Sequence, residues 1–123
     1  MISLTHLLLV GLGGGLGSIV RVLVDEMTPA GRLPWGTVAA NVIGSLIIGW
    51  VLARLGPPSE TNSHWQAFLA FGFCGGFTTF SSFSWQTLEQ LRGGHVGIAM
   101  LHVVLSVLVC VGATWIGWRM ARG

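Results

Sequence analysis

Four stretches of nearly unbroken apolar sequence occupy most of this chain, and short polar stretches separate them. They cover residues 4–24, 35–53, 65–91 and 96–120. A helix needs ~20 apolar residues to cross the hydrocarbon core of a bilayer. The pattern therefore predicts an all-α membrane protein, one domain over residues 1–123, with four transmembrane helices. The separators carry turn chemistry: Asp25, Glu26, Pro29, Arg32 and Pro34; then Gly56, Pro57, Pro58, Glu60 and Asn62; then Gly93, Gly94 and His95. Trp35, Trp65, Trp115 and Trp118 fall near the span ends, where amphipathic rings favour the membrane–water boundary. The first stretch lacks a basic leading segment and a small-residue cleavage site, so it is expected to be a retained helix and not a signal peptide.

The third stretch differs from the others. Residues 72–84 read Gly-Phe-Cys-Gly-Gly-Phe-Thr-Thr-Phe-Ser-Ser-Phe-Ser, with two adjacent glycines followed by five hydroxyls and three phenylalanines. A simple anchor has no use for that mixture. Irregular backbone at membrane depth is tolerated only inside protein or beside a wet cavity. Broken helices place backbone groups and helix ends at ion sites. The segment is therefore expected to break the third helix and to border an ion pathway.

Helical spacing groups the remaining polar and small residues. Gly11/Gly15 and Gly13/Gly17 each form a G-x-x-x-G pair, which lets another helix approach closely. A nucleotide-binding glycine loop is excluded, because no strand precedes the glycines and no G-x-G-x-x-G register fits. Asn41, Ser45 and Gly49 share one face of the second span. Asn41 fits two roles equally, interhelical hydrogen bonding or donation to an anion in a wet cavity. Phe80 and Phe83 are three apart and share a face. Such a pair usually packs, but this one follows the glycines and is interleaved with Ser81, Ser82 and Ser84, and a ring's positive edge can face an anion. His102, Ser106, Cys110 and Thr114 recur every fourth residue, giving the fourth span a polar stripe. Hydroxyls there can instead satisfy their own helix; four in register favour a lined pathway. His102 by itself reads as a packing or interfacial residue and not as a ligand.

Composition narrows the function. Only 8% of the 123 residues are charged and 52% are hydrophobic, against about 25% charged in a soluble domain. The net charge of +2 rests on six arginines with no lysine and no basic cluster, so nucleic acid is not an expected partner. Cys74 and Cys110 match no metal or redox spacing and are expected to be free thiols. No carboxylate pair, nucleophile–base set or metal-ligand cluster is visible, so the chain is not expected to be an enzyme. No span has a central acid, which argues for passive conduction over proton-coupled transport. With four spans, Arg54, Arg119 and Arg122 lie on one side and Arg21, Arg32 and Arg92 on the other. Three against three gives the positive-inside rule nothing to act on, so both orientations and an antiparallel pairing are expected.

Residues 13–21 (Gly-Gly-Gly-Leu-Gly-Ser-Ile-Val-Arg), 36–45 (Gly-Thr-Val-Ala-Ala-Asn-Val-Ile-Gly-Ser) and 72–84 together resemble the CrcB/Fluc family of fluoride channels, in order and over essentially the whole chain. The third motif is the most specific. The resemblance implies a multi-pass channel of a bacterial or archaeal inner membrane that exports fluoride and so lowers its toxicity in the cytoplasm. It implies an antiparallel dual-topology homodimer, embedded in lipid, with two pores and a central structural sodium ion. Backbone carbonyls of Gly75 and Thr78 would hold the sodium. Phe80 and Phe83 would be the pore phenylalanines and Asn41 would line the path. Ser81 would add a hydroxyl, Ser106, Cys110 and Thr114 would form a polar track, and Arg21 would sit at a vestibule. Family members often carry a glutamate at the position of Gln86 and a hydroxyl at that of Cys110. A small multidrug-type exporter, the main alternative, needs an acid in the first span, residues 4–24, which has none. A non-transporting membrane assembly subunit is the other alternative.

Overall fold

The computed structural model describes residues 2–57 and 59–123; Met1 and Pro58 lie outside the described residues. Its elements are α1 (Leu4–Met27), α2 (Trp35–Leu55), α3 (Ser63–Trp65), a π-helical segment (Gln66–Cys74), α4 (Gly75–Phe77), α5 (Phe80–Arg92) and α6 (Val96–Arg122). Four helical stretches are long and apolar enough to cross a membrane: α1, α2, the run Ser63–Arg92, and α6. No strand occurs among the described residues.

The helices outrun the apolar stretches that predict them. α1 continues to Met27 and includes Asp25 and Glu26, which the sequence reading put in a loop. The helix stops at Thr28, just before Pro29, because a residue preceding proline is pushed away from helical geometry. Thr28 closes the end by donating its hydroxyl to the Val24 carbonyl. α2 runs two residues further, to Leu55, and ends at Gly56, whose φ of 69° suits glycine. α6 likewise extends to Arg122. Loss of hydropathy marks where lipid ends; chain-breaking residues mark where the helix ends.

Burial follows the logic of a lipid solvent. The buried apolar residues are mostly small or medium, such as Val38, Ala40, Val51, Ala67, Ala70, Ala99 and Ala113, while leucines, isoleucines and tryptophans of every long helix point outward. A water-soluble bundle would show the reverse. Trp115, Trp118 and Trp50 carry Arg119, Arg122 and Arg54 over their rings at 5.8, 4.7 and 5.9 Å, collecting cation–π pairs at one end.

Close backbone approach holds the bundle together. α1 packs along the π segment and α4, and α2 packs along α6. Any Cβ on Gly13 would run into the Phe68 carbonyl, and one on Gly17 would meet the Phe73 carbonyl and lie 2.6 Å from Phe77 N. The second glycine pair does not share this role: Gly11 and Gly15 have nothing within 4 Å. At the other seam, Gly49 lies on the Thr114 carbonyl and Gly117 on the Leu46 carbonyl. Because α1 abuts the π segment at Gly13 and Gly17, Gly13→Val and Gly17→Val should each destabilise the detergent-solubilised protein by about 1–3 kcal/mol, the range for forced overpacking. Gly11→Ala and Gly112→Ala, at open positions, should cost far less. Thermal unfolding followed by tryptophan fluorescence measures this, and equal losses in both sets would show that the packing face is misassigned.

Candidate ion pathway

Between α4 and α5 the backbone leaves helical geometry for two residues. Thr78 has φ −120° and ψ 113°, and Thr79 has φ −124° and ψ 114°. Extended residues inside an apolar run expose amides and carbonyls that hydrocarbon cannot satisfy. Side chains supply the partners. Asn41 brackets one residue: its Oδ1 accepts from Thr79 N–H at 2.8 Å and its Nδ2 donates to the Thr79 carbonyl at 3.5 Å. Thr79 Oγ1 caps α5 by accepting from Ser82 N–H at 3.2 Å. Thr78 donates both its amide and its hydroxyl to the Cys74 carbonyl, at 3.1 and 2.8 Å. Ser18 Oγ and Arg21 Nε both reach the Gly76 carbonyl at 3.5 Å.

These bonds redirect two amides. In a continuous helix Thr79 N–H would close on the Gly75 carbonyl, and Ser82 N–H on the Thr78 carbonyl. Here they go to Asn41 Oδ1 and Thr79 Oγ1. The Gly75 and Thr78 oxygens thus lose their helical donors, and Gly75 is exposed with open space beside its Cα. Carbonyl oxygens freed in this way are ligands of the kind a hard cation takes.

Thr78 and Thr79 also border a cavity of about 320 Å³, lined with them by Asn41 and Ser45 of α2, Phe80 and Phe83, and Ser106, Val107 and Cys110 of α6. The Phe80 and Phe83 rings are 5.3 Å apart at 39°. Phe80 is 79% exposed, so one chain alone leaves its ring uncovered. The lining offers an amide, hydroxyls, a thiol and ring edges, and no carboxylate. Such a surface can strip water from a small anion and return hydrogen bonds without repelling it.

The structure thus brings Asn41, Phe80, Phe83, Ser106 and Cys110 round one cavity. It places the other expected residues elsewhere. Thr114 borders a separate cavity of about 670 Å³ with Gly49, Trp115 and Arg122, and its hydroxyl is donated to its own Cys110 carbonyl at 3.1 Å. Arg21 lies against α4 at Gly76, outside the cavity lining. Ser81 is exposed, its hydroxyl 2.9 Å from Thr79 Oγ1. Sequence reasoning did not single out Thr79, whose side chain caps α5, or the cavity role of Ser45. His102, which the sequence places on the polar stripe of the fourth span and reads by itself as packing or interfacial, is fully buried with its ring 4.9 Å from Phe83. The hydrophobic pattern hides such residues, since a histidine among valines and leucines reads as packing. Further along α5, Gln86 Nε2 donates to the buried Thr37 hydroxyl at 2.8 Å. Beyond it, Arg32, Gln86, Glu89, Gln90 and His95 are among the residues round a second cavity of about 330 Å³.

Comparison with known proteins places this geometry in context. A family model described as "CrcB-like protein, Camphor Resistance (CrcB)" matches residues 8–118. The chain is 40% identical over 119 residues to the fluoride-specific ion channel FluC of Pyrococcus abyssi, covering 96% of both chains. It is 41% identical to a protein of the same name from Leptospira interrogans, covering 94% of both. It is 45% identical over 125 residues to another from Methylobacterium radiotolerans, covering 97% of this chain and 86% of the relative.

The Asn41 bracket and the Thr79 cap predict distinct stability losses. Asn41→Ala leaves the Thr79 amide without its acceptor, and its carbonyl with Phe83 N–H alone, and should cost about 1–3 kcal/mol. Thr79→Ala removes a helix cap and should cost about 0.5–2 kcal/mol. Chemical unfolding in detergent micelles measures both, and an Asn41→Ala protein as stable as the native one would show that the bracket is dispensable.

Proposed function

This chain belongs to the CrcB-like family, and on that premise we propose that it is a fluoride-selective passive channel, one multi-pass domain over residues 1–123, exporting fluoride across the inner membrane and lowering its cytoplasmic toxicity. The observation that carries the reading is the uncharged donor cavity beside Thr78–Thr79. In this reading those two residues break the third span, and the break forms one wall of the pore. Fluoride is small and strongly hydrated, so its path must replace water with strong donors. Asn41 has a second amide hydrogen beyond the one given to Thr79, and Ser45 and Ser106 add hydroxyls around it. The positive ring edges of Phe80 and Phe83 complete the coordination. The cavity lining itself holds no carboxylate or histidine, which supports conduction down the electrochemical gradient.

The functional unit in this reading is an antiparallel homodimer. The uncovered Phe80 ring and the open side of Gly75 support a second copy. One chain offers two redirected carbonyls; two chains offer four, a set suited to a structural sodium ion at the dimer centre. That ion would supply charge compensation to the carbonyl ends at the two breaks. Arg21 and Ser18 would steady the Gly76 carbonyl nearby, and Cys110 would continue the track as a weaker donor than a hydroxyl.

Two experiments test the proposal. In liposomes with a valinomycin-clamped potassium gradient, fluoride should leave rapidly and chloride should not; equal rates would end the selectivity claim. Phe80→Ile and Phe83→Ile should each slow fluoride about tenfold, the rate equivalent of losing a ring-edge contact of about 1.4 kcal/mol. Normal conduction by both variants would reduce the phenylalanines to packing. The balanced arginines predict mixed orientation of a C-terminal reporter in cells. Lysines added at one end should force one topology and reduce active dimers, with recovery when an oppositely biased copy is co-expressed; full activity from a single forced topology would refute antiparallel pairing.

A further inference from the structure

Among the described residues, four buried side-chain atoms lack a hydrogen-bond partner: Ser106 Oγ, His102 Nε2, Gln86 Oε1 and Gln90 Oε1. They are not scattered. Ser106 borders the phenylalanine cavity, His102 lies one turn before it on α6, and Gln86 and Gln90 border the second cavity. Together they follow the α5–α6 seam between the two cavities. Buried polar groups are rarely left unpaired in a native fold, and an unmodified row of them marks a place for a ligand or water.

The chemistry at His102 is definite. Thr87 Oγ1 gives its hydrogen to the Phe83 carbonyl at 2.8 Å. It can then only accept from the imidazole, whose Nδ1 is 3.4 Å away. Nδ1 therefore carries the hydrogen in the neutral ring, and Nε2 presents a lone pair. A lone pair repels an anion and accepts from a water. A second proton on Nε2 reverses this, making it a cationic donor. The Ser106 hydroxyl, unpartnered one turn away on the same face, then donates to the same guest.

We propose that His102 and Ser106 form an additional anion station beyond the phenylalanines, which holds water while the imidazole is neutral and a small hard anion once Nε2 is protonated. The proposal rests on the channel reading only for the identity of that anion as fluoride. The proton comes from the aqueous phase and returns to it. A buried imidazolium without a counter-ion is costly, so the proton and the anion favour each other's binding, and the coupling is reciprocal. The surroundings leave His102 as the titrating group at the seam. α6 packs on α2 and α5. On α2 Thr37 accepts from Gln86 and Asn41 borders the phenylalanine cavity, and its one charged residue, Arg54, is at its C-terminal end. From α5 the ring meets Phe83 and Thr87, while Glu89 and Arg92 are exposed. On α6 itself His95 is exposed at the start, and Arg119 and Arg122 lie at the other end.

Two measurements test the station. In liposomes, with the leak of neutral HF through protein-free vesicles subtracted, fluoride flux should rise as pH falls from 8 to 5.5, by up to about tenfold per pH unit, the limit for one linked proton. His102→Gln, which presents an amide donor at every pH, should flatten that profile. The second measurement needs no conduction. In micelles of the native protein with 15N-labelled imidazoles, fluoride should raise the protonation midpoint of one histidine, the signal missing from His102→Gln, and chloride at equal ionic strength should not. A native flux profile that His102→Gln reproduces, or a midpoint that fluoride leaves where chloride leaves it, would overturn the station. A fluoride-linked midpoint in a protein that passes no fluoride at any pH would uphold the station and refute the channel reading.

Discussion

Every polar group of a backbone immersed in lipid must find its partner within the protein, and the Asn41–Thr79 contact is where this fold meets that demand. Two extended residues within an apolar run would leave several peptide groups bare, at several kcal/mol each in hydrocarbon. One side chain from α2 bonds both the amide and the carbonyl of Thr79, and so reaches two successive peptides. The hydroxyls of Thr78 and Thr79 serve their own neighbours, and Ser18 with Arg21 serves Gly76 from α1. Non-helical geometry at this depth is therefore a property of three elements together. That explains why α1 and α2 must come so near the third segment, and why glycine occupies the points of nearest approach.

The same economy sets the electrostatics. An anion can be held in a membrane by a cation, but a strong fixed charge binds the ion and retains it. The cavity offers partial charges only: amide, hydroxyl and ring edge. Conduction requires entry and exit to be comparable in free energy, and a lining of neutral dipoles provides that balance on the proposed reading. The arginines fit this division. Arg21 is turned to a backbone carbonyl, and Arg54, Arg119 and Arg122 lie over tryptophan rings near helix ends.

Much of the fold was legible because lipid imposes a coarse rule: long apolar runs become helices, and the four runs did so. The boundaries were less legible. Hydropathy falls at Asp25 while the helix continues to Met27, since only proline or glycine geometry ends it. The π winding from Gln66 to Cys74 left no trace in a pattern that assumes 3.6 residues per turn. Small-residue spacing identified two glycine pairs as equivalent, yet only Gly13/Gly17 is packed against the third segment; spacing gives a shared face without saying what the face meets. The polar stripe of α6 divides for a related reason. Ser106 and Cys110 border the phenylalanine cavity, whereas Thr114 lies beside Gly49, where α2 and α6 are in backbone contact. A stripe on one helix records periodicity; which neighbour lies over each turn is a property of the bundle.

The redirected amides connect two features that a list of site residues keeps apart. Asn41 borders the cavity, and its Oδ1 takes the amide that would otherwise close on the Gly75 carbonyl. The cavity lining and the freed carbonyl are thus two consequences of one hydrogen bond. Rotating Asn41 toward an ion in the cavity would release Thr79 N–H, and that amide's nearest helical acceptor is the Gly75 oxygen. On the proposed function, a cation held by Gly75 and Thr78 competes for that oxygen and keeps Thr79 N–H on Asn41. It would therefore fix the side chain whose second amide hydrogen the anion uses. The geometry gives a reason for a cation site to accompany an anion pathway without either ion touching the other.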